Sequence, residues 1–215
     1  MALASLVHVI DDDEAIRESL AFLLGTVGLE VRGYDSATAF LSALPDISAG
    51  CNVTDVRMPG ISGIDLLRRL RELGIRMPVV VMTGHGDVQL AVEAMKIGAR
   101  DFIEKPFDDE TLLGAVRAAL DDGERQAQHD AERDALLERL SSLSNRERDV
   151  LQGLLAGKPN KIVAFDLGIN PRSVEIYRAN VMTKMNAGSL SKLVRMALVA
   201  GILESSPMPS IAPSA

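Results

Sequence analysis

Two hydrophobic rhythms alternate along roughly the first 120 residues. Short apolar, β-branched runs occur at Leu6–Ile10, Leu29–Tyr34, Cys51–Asp55, Val79–Thr83 and Asp101–Glu104. Between and after them, at Glu14–Val27, Ser36–Ala43, Gly63–Arg71, Val88–Ile97 and Asp108–Leu120, apolar residues recur every three or four positions. The first pattern is that of buried strands and the second that of amphipathic helices. Five strand–helix pairs in strict alternation predict a doubly wound α/β fold, a five-stranded parallel sheet covered by helices on both faces. A segment of this length can bury one such core.

From Asp121 to Leu140 the chain turns polar and helix-prone, with Leu136, Leu137 and Leu140 as its sparse apolar positions. This reads as a helical linker continuing the fifth helix, too short in heptads to specify a coiled coil. Four helix signals follow. Ser144 and Glu147 have the spacing of a capping box and open a helix to about Ala156, which Gly157-Lys158-Pro159 stops. A short helix over Lys161–Leu167 ends at Gly168. Asn170-Pro171 supplies an N-cap and a first-turn proline for the next, Pro171–Met185, and Gly188 breaks the chain again before Ser189–Ala200. Two helices joined by a glycine-containing turn, within a smaller all-α four-helix unit, fit a helix-turn-helix. The Ser- and Pro-rich tail, 205–215, is expected to be disordered. The boundaries implied are 1–121, a linker over 122–141, a second domain over 142–204, and the tail.

Composition narrows the function classes. The chain has 215 residues, 47% hydrophobic and 25% charged, which excludes wholesale disorder. A single cysteine, Cys51, excludes an internal disulfide framework and a multi-cysteine metal centre, and three scattered histidines argue against a His-rich one. No apolar run approaches the roughly 20 residues that span a bilayer, and no signal peptide is visible at Met1–Leu6. The chain reads as cytoplasmic, with no membrane partner. Net charge is −7, but it is unevenly placed: Met1–Gly123 carries 20 acidic against 11 basic residues, and the stretch from Ser141 onward carries 9 basic against 5 acidic. An acidic first domain and a basic second one suggest different partners.

In open parallel sheets ligands gather at the carboxyl ends of the strands. Here those ends carry Asp11-Asp12-Asp13, Asp55, Thr83 and Lys105-Pro106. Converging carboxylates repel one another, and a hard divalent cation that keeps part of its water, such as Mg²⁺, would relieve the repulsion. An ionised Asp55 at the rim is a candidate nucleophile towards a phosphoryl group, with Mg²⁺, Lys105 and Thr83 to neutralise or hydrogen-bond the transferring oxygens. The bland alternative is that Asp11–Asp13 merely cap the first helix. His8 reads as a satisfied strand residue, Cys51 as a small buried hydrophobe, His129 as a solvated linker residue, and Asn52 as a polar residue that weakens the third strand.

Val9-Ile10-Asp11-Asp12-Asp13, Asp55-Val56-Arg57-Met58-Pro59-Gly60, Met82-Thr83-Gly84 and Glu104-Lys105-Pro106-Phe107 resemble the flavodoxin-like receiver domain of bacterial two-component response regulators. The resemblance implies that Asp55 takes a phosphoryl group from a sensor histidine kinase. It further implies that Asp11, Asp12, Asp55 and the backbone carbonyl of Arg57 ligate Mg²⁺, and that Thr83 and Lys105 hold the phosphoryl oxygens. Phe102 stands where the family places a switch aromatic. Val92, Lys96, Arg100 and Asp101 are candidates for a face through which two phosphorylated copies pair. Haloacid-dehalogenase-type phosphatases use the same aspartyl chemistry but need a general-acid aspartate two residues after the nucleophile, where this chain has Arg57. An enzyme is therefore not expected. Arg57 and His85, each two residues beyond a site residue, are expected to tune the phosphoryl lifetime.

The C-terminal segment resembles the LuxR-type helix-turn-helix through Leu143–Glu147, Gly157–Lys161, Ile169–Glu175 and Met182–Met185. The second helix of the pair is the reader in the major groove. Arg172, Ser173, Glu175, Ile176 and Ala179 are the candidates along it for DNA contact; Asn160, Lys161, Arg178 and Lys184 are the candidates for phosphate neutralisation. Together the two resemblances, which span Leu3 to about Leu203, imply an activator that binds promoter DNA as a homodimer and works with RNA polymerase. Within the family, Thr83–Val88, Asp101–Phe107 and Tyr177–Met185 are most similar to regulators of nitrogen fixation that answer to an oxygen-sensing haem kinase. A constitutive DNA-binding protein is the remaining alternative.

Overall fold

A computed structural model of the chain describes residues 6–47, 49–84 and 88–202. The expected tail, His85 and the start of the chain lie outside these. Contacts divide the chain into two units, Met1–Gln128 and His129–Ala215.

The first unit alternates strand and helix throughout: β1 (Leu6–Ile10), α1 (Glu14–Thr26), β2 (Glu30–Tyr34), α2 (Ala37–Ala43), a 3₁₀ turn at Leu44–Asp46, β3 (Cys51–Asp55), α3 (Gly63–Glu72), β4 (Val79–Thr83), α4 (Val88–Ile97) and β5 (Asp101–Glu104). The strands form one parallel sheet in the order β2-β1-β3-β4-β5. Strand order explains the burial pattern. Every residue of the central strands β3 and β4 is buried, whereas the edge strand β2 is largely exposed. A central strand is covered on both faces, so its sequence need not alternate. On one face Val7, Val9, Val53, Val80 and Met82 meet Leu20 and Leu24 of α1 and Leu112 and Val116 further along the chain. On the other, Ile10, Val79 and Val81 meet Phe40, Leu67, Leu70 and Ala94.

The polar residues of the sheet behave unequally. His8 is fully buried, yet its Nε2 faces the Ala49 carbonyl at 3.3 Å and its Nδ1 the Tyr34 hydroxyl at 3.4 Å. Burial lowers its pKa, so the neutral ring is the native form. Burial likewise pushes the Cys51 thiol up to about 12, which leaves it an inert core residue. Asn52 reaches the Pro78 carbonyl only at 3.5 Å, and its buried Oδ1 has no partner among the described residues. An unsatisfied buried acceptor costs about 1–3 kcal/mol.

The fifth helix continues through the polar segment after it, as the helix-prone sequence there predicts. α5 runs unbroken from Asp109 to Ser141 and absorbs the whole linker. Gly123 lies inside it despite a helix cost of about 1 kcal/mol. A Cβ at Gly123 would stand 3.2 Å from Pro78 Cγ, so the absent side chain lets the helix pass close to the lower end of β4.

The second unit contains the end of α5 followed by α6 (Asn145–Leu155), α7 (Asn160–Leu167), α8 (Pro171–Lys184) and α9 (Leu190–Val199). Its core joins Leu136 and Leu143 to Val150, Leu154, Val163, Val174, Val181, Met185 and Leu193. Local chemistry sets the helix ends. Ser144 and Glu147 make a complete capping box, and Asn170 accepts from the Arg172 N–H at 2.8 Å with Pro171 in the first turn. Gly168 ends α7 in the left-handed conformation, φ 63°, which favours glycine.

Candidate functional site

The loops after β1, β3 and β5 converge at the carboxyl edge of the sheet. Asp11 and Asp55 are nearly buried, 2% and 9% exposed, and the Lys105 ammonium lies between them. Its Nζ donates to Asp55 Oδ1 at 2.6 Å and to Asp11 Oδ2 at 3.1 Å. The Arg57 backbone N–H donates to Asp55 Oδ2 at 2.6 Å, and the Asp13 N–H to Asp11 Oδ1 at 3.0 Å. Thr83 is buried at the end of β4, and its carbonyl accepts from the Lys105 N–H at 2.7 Å. Burial by itself would lower the Lys105 pKa, but the hydrogen bonds and charges of Asp55 and then Asp11 outweigh it and raise the value. Lys105 is a fixed cation.

The three leading aspartates divide their work. Asp13 caps α1, accepting from the Ala15 N–H at 2.9 Å. Asp11 turns inward, while Asp12 stays exposed on the rim of a groove of about 640 Å³ that Arg57, Ser62, Arg68 and Glu93 also line. The expected convergence of three carboxylates is therefore not what the structure shows. Among the described residues, no three Asp, Glu, His or Cys side chains gather closely enough to hold a metal ion by themselves. The physical reason is Lys105, whose charge relieves the repulsion between the two that do meet. The donor set nonetheless fits Mg²⁺. Asp11, Asp55 and the Arg57 carbonyl offer hard oxygen donors, with Asp12 as a fourth at the rim, and this ion takes few of those from protein.

Two supports were missed from sequence. Arg17 donates to the Asp11 carbonyl at 2.8 Å and steadies the loop from α1. Gly63, the first residue of α3, packs so tightly that a Cβ would lie 2.2 Å from the Asp55 carbonyl oxygen. A glycine at a helix start carries no sequence signal for such an approach.

Phe102 on β5 is 45% exposed and, with Ala91, Val92, Met95 and Lys96, lines an apolar hollow of about 380 Å³. Lys96 is exposed as well. Asp101 accepts from the Phe102 N–H at 2.9 Å, and Arg100 is engaged within its own unit, ion-paired to Asp122 of α5.

In the second unit α7 and α8 form the helix pair. Arg172, Glu175, Ile176 and Ala179 lie exposed along α8, Ser173 is half-buried, and Val174 and Val181 turn inward. Asn160 opens α7, its Oδ1 accepting from Arg178 Nη1 at 3.3 Å, and Lys161 beside it is exposed. Lys184 is committed elsewhere: its Nζ donates to Glu147 Oε2 at 2.7 Å and to the Ser142 carbonyl at 3.2 Å. Its charge is matched inside the unit, which separates it from the other phosphate candidates.

Lys184, and after it the Ser144 N–H, hold the Glu147 carboxyl down to about 2. A depressed carboxylate stabilises above its unfolded value and loses that contribution as pH falls through the folded one. The expected result is that the native chain loses about 1–2 kcal/mol between pH 5 and pH 2 that Glu147→Gln has already lost at pH 7. Urea midpoints of both proteins across that range check it.

A fold of this order, an aspartate–lysine site at its carboxyl edge and a helix-turn-helix unit define a regulator with separate input and output domains. The chain belongs to the response regulators: residues 7–117 match the response regulator receiver domain, and residues 141–197 match the bacterial regulatory proteins of the luxR family. It is a FixJ-like member of that family. It is 60% identical to the transcriptional regulatory protein FixJ of Azorhizobium caulinodans, over 91% of this chain and 93% of that one, and 53% identical to FixJ of Bradyrhizobium diazoefficiens, over 92% and 96%. Among solved structures it is similar to full-length FixJ from B. japonicum (52% identity, TM-score 0.58, 93% and 98% of the two chains) and to the response regulator StyR (40%, 0.80, 90% and 98%). A receiver domain and a luxR-type DNA-binding domain in one chain are consistent with a transcription regulator activated by phosphorylation. No helix among the described residues is long and apolar enough to cross a membrane.

Proposed function

We propose that Asp55 accepts a phosphoryl group from the phosphohistidine of a sensor histidine kinase, and that the labelled chain dimerises and activates transcription from promoter DNA. The observation that carries this reading is the double grip on a nearly buried Asp55, Lys105 Nζ on one oxygen and the Arg57 N–H on the other. The grip fixes the carboxylate at the sheet edge with a lone pair available to phosphorus. An Asp55 oxygen forms a P–O bond as the donor's P–N bond breaks, and the electron pair returns to the imidazole nitrogen. Asp11, Asp12, Asp55 and the Arg57 carbonyl would hold Mg²⁺, which when bound neutralises charge on the transferring oxygens. Lys105 balances a second oxygen, and the Thr83 hydroxyl moves to donate to a third. That displacement draws Phe102 inward and reshapes the surface around Val92 and Lys96, where two receivers pair. Arg57 and His85, each two residues beyond a site residue in the sequence, set the phosphoryl lifetime.

Two paired copies present two α8 helices to half-sites about 34 Å apart. Arg172 addresses guanine, Glu175 cytosine and Ile176 a thymine methyl, with Ser173 and Ala179 at the same surface. Asn160, Lys161 and Arg178 meet the phosphates. Arg172→Ala is expected to cost about 1–3 kcal/mol at one base position, whereas Lys161→Ala weakens all sequences alike and reduces the salt slope by about 1. Binding isotherms on operator and scrambled duplexes at several salt concentrations separate the two. RNA polymerase is the downstream partner, the cytoplasm the compartment, and oxygen-responsive nitrogen fixation the regulated process. The chain acts as a regulator rather than a phosphatase, because Arg57 occupies the place a general acid would need.

The test is mass, sedimentation and DNA affinity of the full chain before and after acetyl phosphate with Mg²⁺. One added phosphoryl group on Asp55, a shift to dimer and tighter operator binding are expected. No label at Asp55, or a label without either later change, would overturn the proposal.

A further inference from the structure

α3 starts directly after the Asp55 loop and runs beside α4, and it reaches across to α4 with two arginines one turn apart. Arg71 Nη2 donates to the Gly98 carbonyl, just past the end of α4, at 2.6 Å, while its Nη1 holds the Ile75 carbonyl at 3.0 Å. A cation on the terminal carbonyls of a helix is favoured by charge-assisted hydrogen bonding and by the helix dipole. Arg68 Nη2 is paired with Glu93 at the middle of α4. The same guanidinium donates through Nη1 to Asp65 Oδ1 at 2.8 Å. The other oxygen of Asp65 accepts from Ser62 Oγ at 2.7 Å, and Ser62 is the N-cap of α3. A continuous polar chain therefore leads from the N-cap of α3, at the end of the Asp55 loop, to the middle of α4. It borders the groove that also contains Asp12 and Arg57.

We infer that Arg68 and Arg71 are positioning residues for α4, with Arg71 as the pivot at its C-terminal end and Arg68 as a latch on its middle. A helix pinned at one end and latched at its centre can swing only at the other end, which is the end that follows Thr83 in the chain. The strength of the Arg68–Glu93 pair then sets how easily α4 leaves its resting place. Both partners are about two-fifths exposed, so the latch is weak enough to be broken reversibly. The link to activation rests on Asp55 being the phospho-acceptor, whereas the latch itself does not.

The experiment uses the full chain as wild type, Arg68→Ala, Glu93→Ala and the charge swap Arg68→Glu/Glu93→Arg. Hydrogen exchange of α4 amides, without phosphodonor, reads the latch directly. Both single variants should exchange about 1.5- to 5-fold faster across Val88–Ile97, with β1 and β3 unchanged, and the swap should return the rate towards wild type. In parallel, the acetyl phosphate concentration giving half-maximal dimer should fall by a similar factor in the single variants. Unchanged α4 exchange, or faster exchange that the swap does not restore, would overturn the latch. Faster α4 exchange in the single variants, together with no label on Asp55 of the wild type, would support the latch and overturn the phospho-acceptor reading.

Discussion

Treated with acetyl phosphate and Mg²⁺, the full chain should gain the mass of one phosphoryl group and sediment as a dimer, and Asp55→Asn should do neither. Asparagine preserves the volume of the side chain and an acceptor for the Arg57 N–H, which the native Oδ2 engages at 2.6 Å. It removes the negative charge and the nucleophilic oxygen. Lys105 then keeps Asp11, at 3.1 Å, as an ionised partner. The variant should therefore stay folded, with an unfolding free energy in urea lower by no more than about 1–3 kcal/mol, while labelling is lost completely. Mass spectrometry of the intact protein and of its peptides decides the matter. A label that persists elsewhere in Asp55→Asn and still drives dimerisation would move the acceptor to another residue. Loss of both label and fold would be settled by Asp55→Glu, which retains the charge but displaces the oxygen.

Gly63→Ala is expected to damage the same site without touching a charged group. The added methyl would meet the Asp55 carbonyl oxygen at 2.2 Å and the Thr54 hydroxyl at 3.2 Å. Neither α3 nor β3 can yield cheaply. β3 is hydrogen-bonded on both sides in the sheet, and α3 buries Ile64, Leu66, Leu67 and Leu70. Overpacking of this kind costs about 1–3 kcal/mol. Since the strained atom is the Asp55 carbonyl, the labelling rate should fall as well as the urea midpoint. Gly25→Ala makes the control, because a Cβ there has open space and the residue lies in helix α1. It should leave labelling unchanged. A Gly63→Ala protein that is as stable and as rapidly labelled as wild type would refute the close approach.

What the sequence determined by itself was everything governed by neighbours a few residues apart. Short continuous apolar runs placed the five strands and the 3.6 period placed the helices, because each depends on how one element meets the core. The caps at Ser144 and Asn170 were legible because donor and acceptor lie within three residues. Asp11, Asp55, Thr83 and Lys105 were legible as a group because strand ends in a parallel sheet share one edge. The tertiary structure alone decided which charges meet across elements. It turned Asp12 outward and set Lys105 between Asp11 and Asp55, so two carboxylates converge rather than three. It spent Lys184 on Glu147 and Arg100 on Asp122, and it gave Arg68 and Arg71 to α4. It also carried α5 unbroken through Gly123, past Pro78. Such pairings depend on how far each helix stands from its neighbour and which way a long side chain leans, and spacing along the chain records neither.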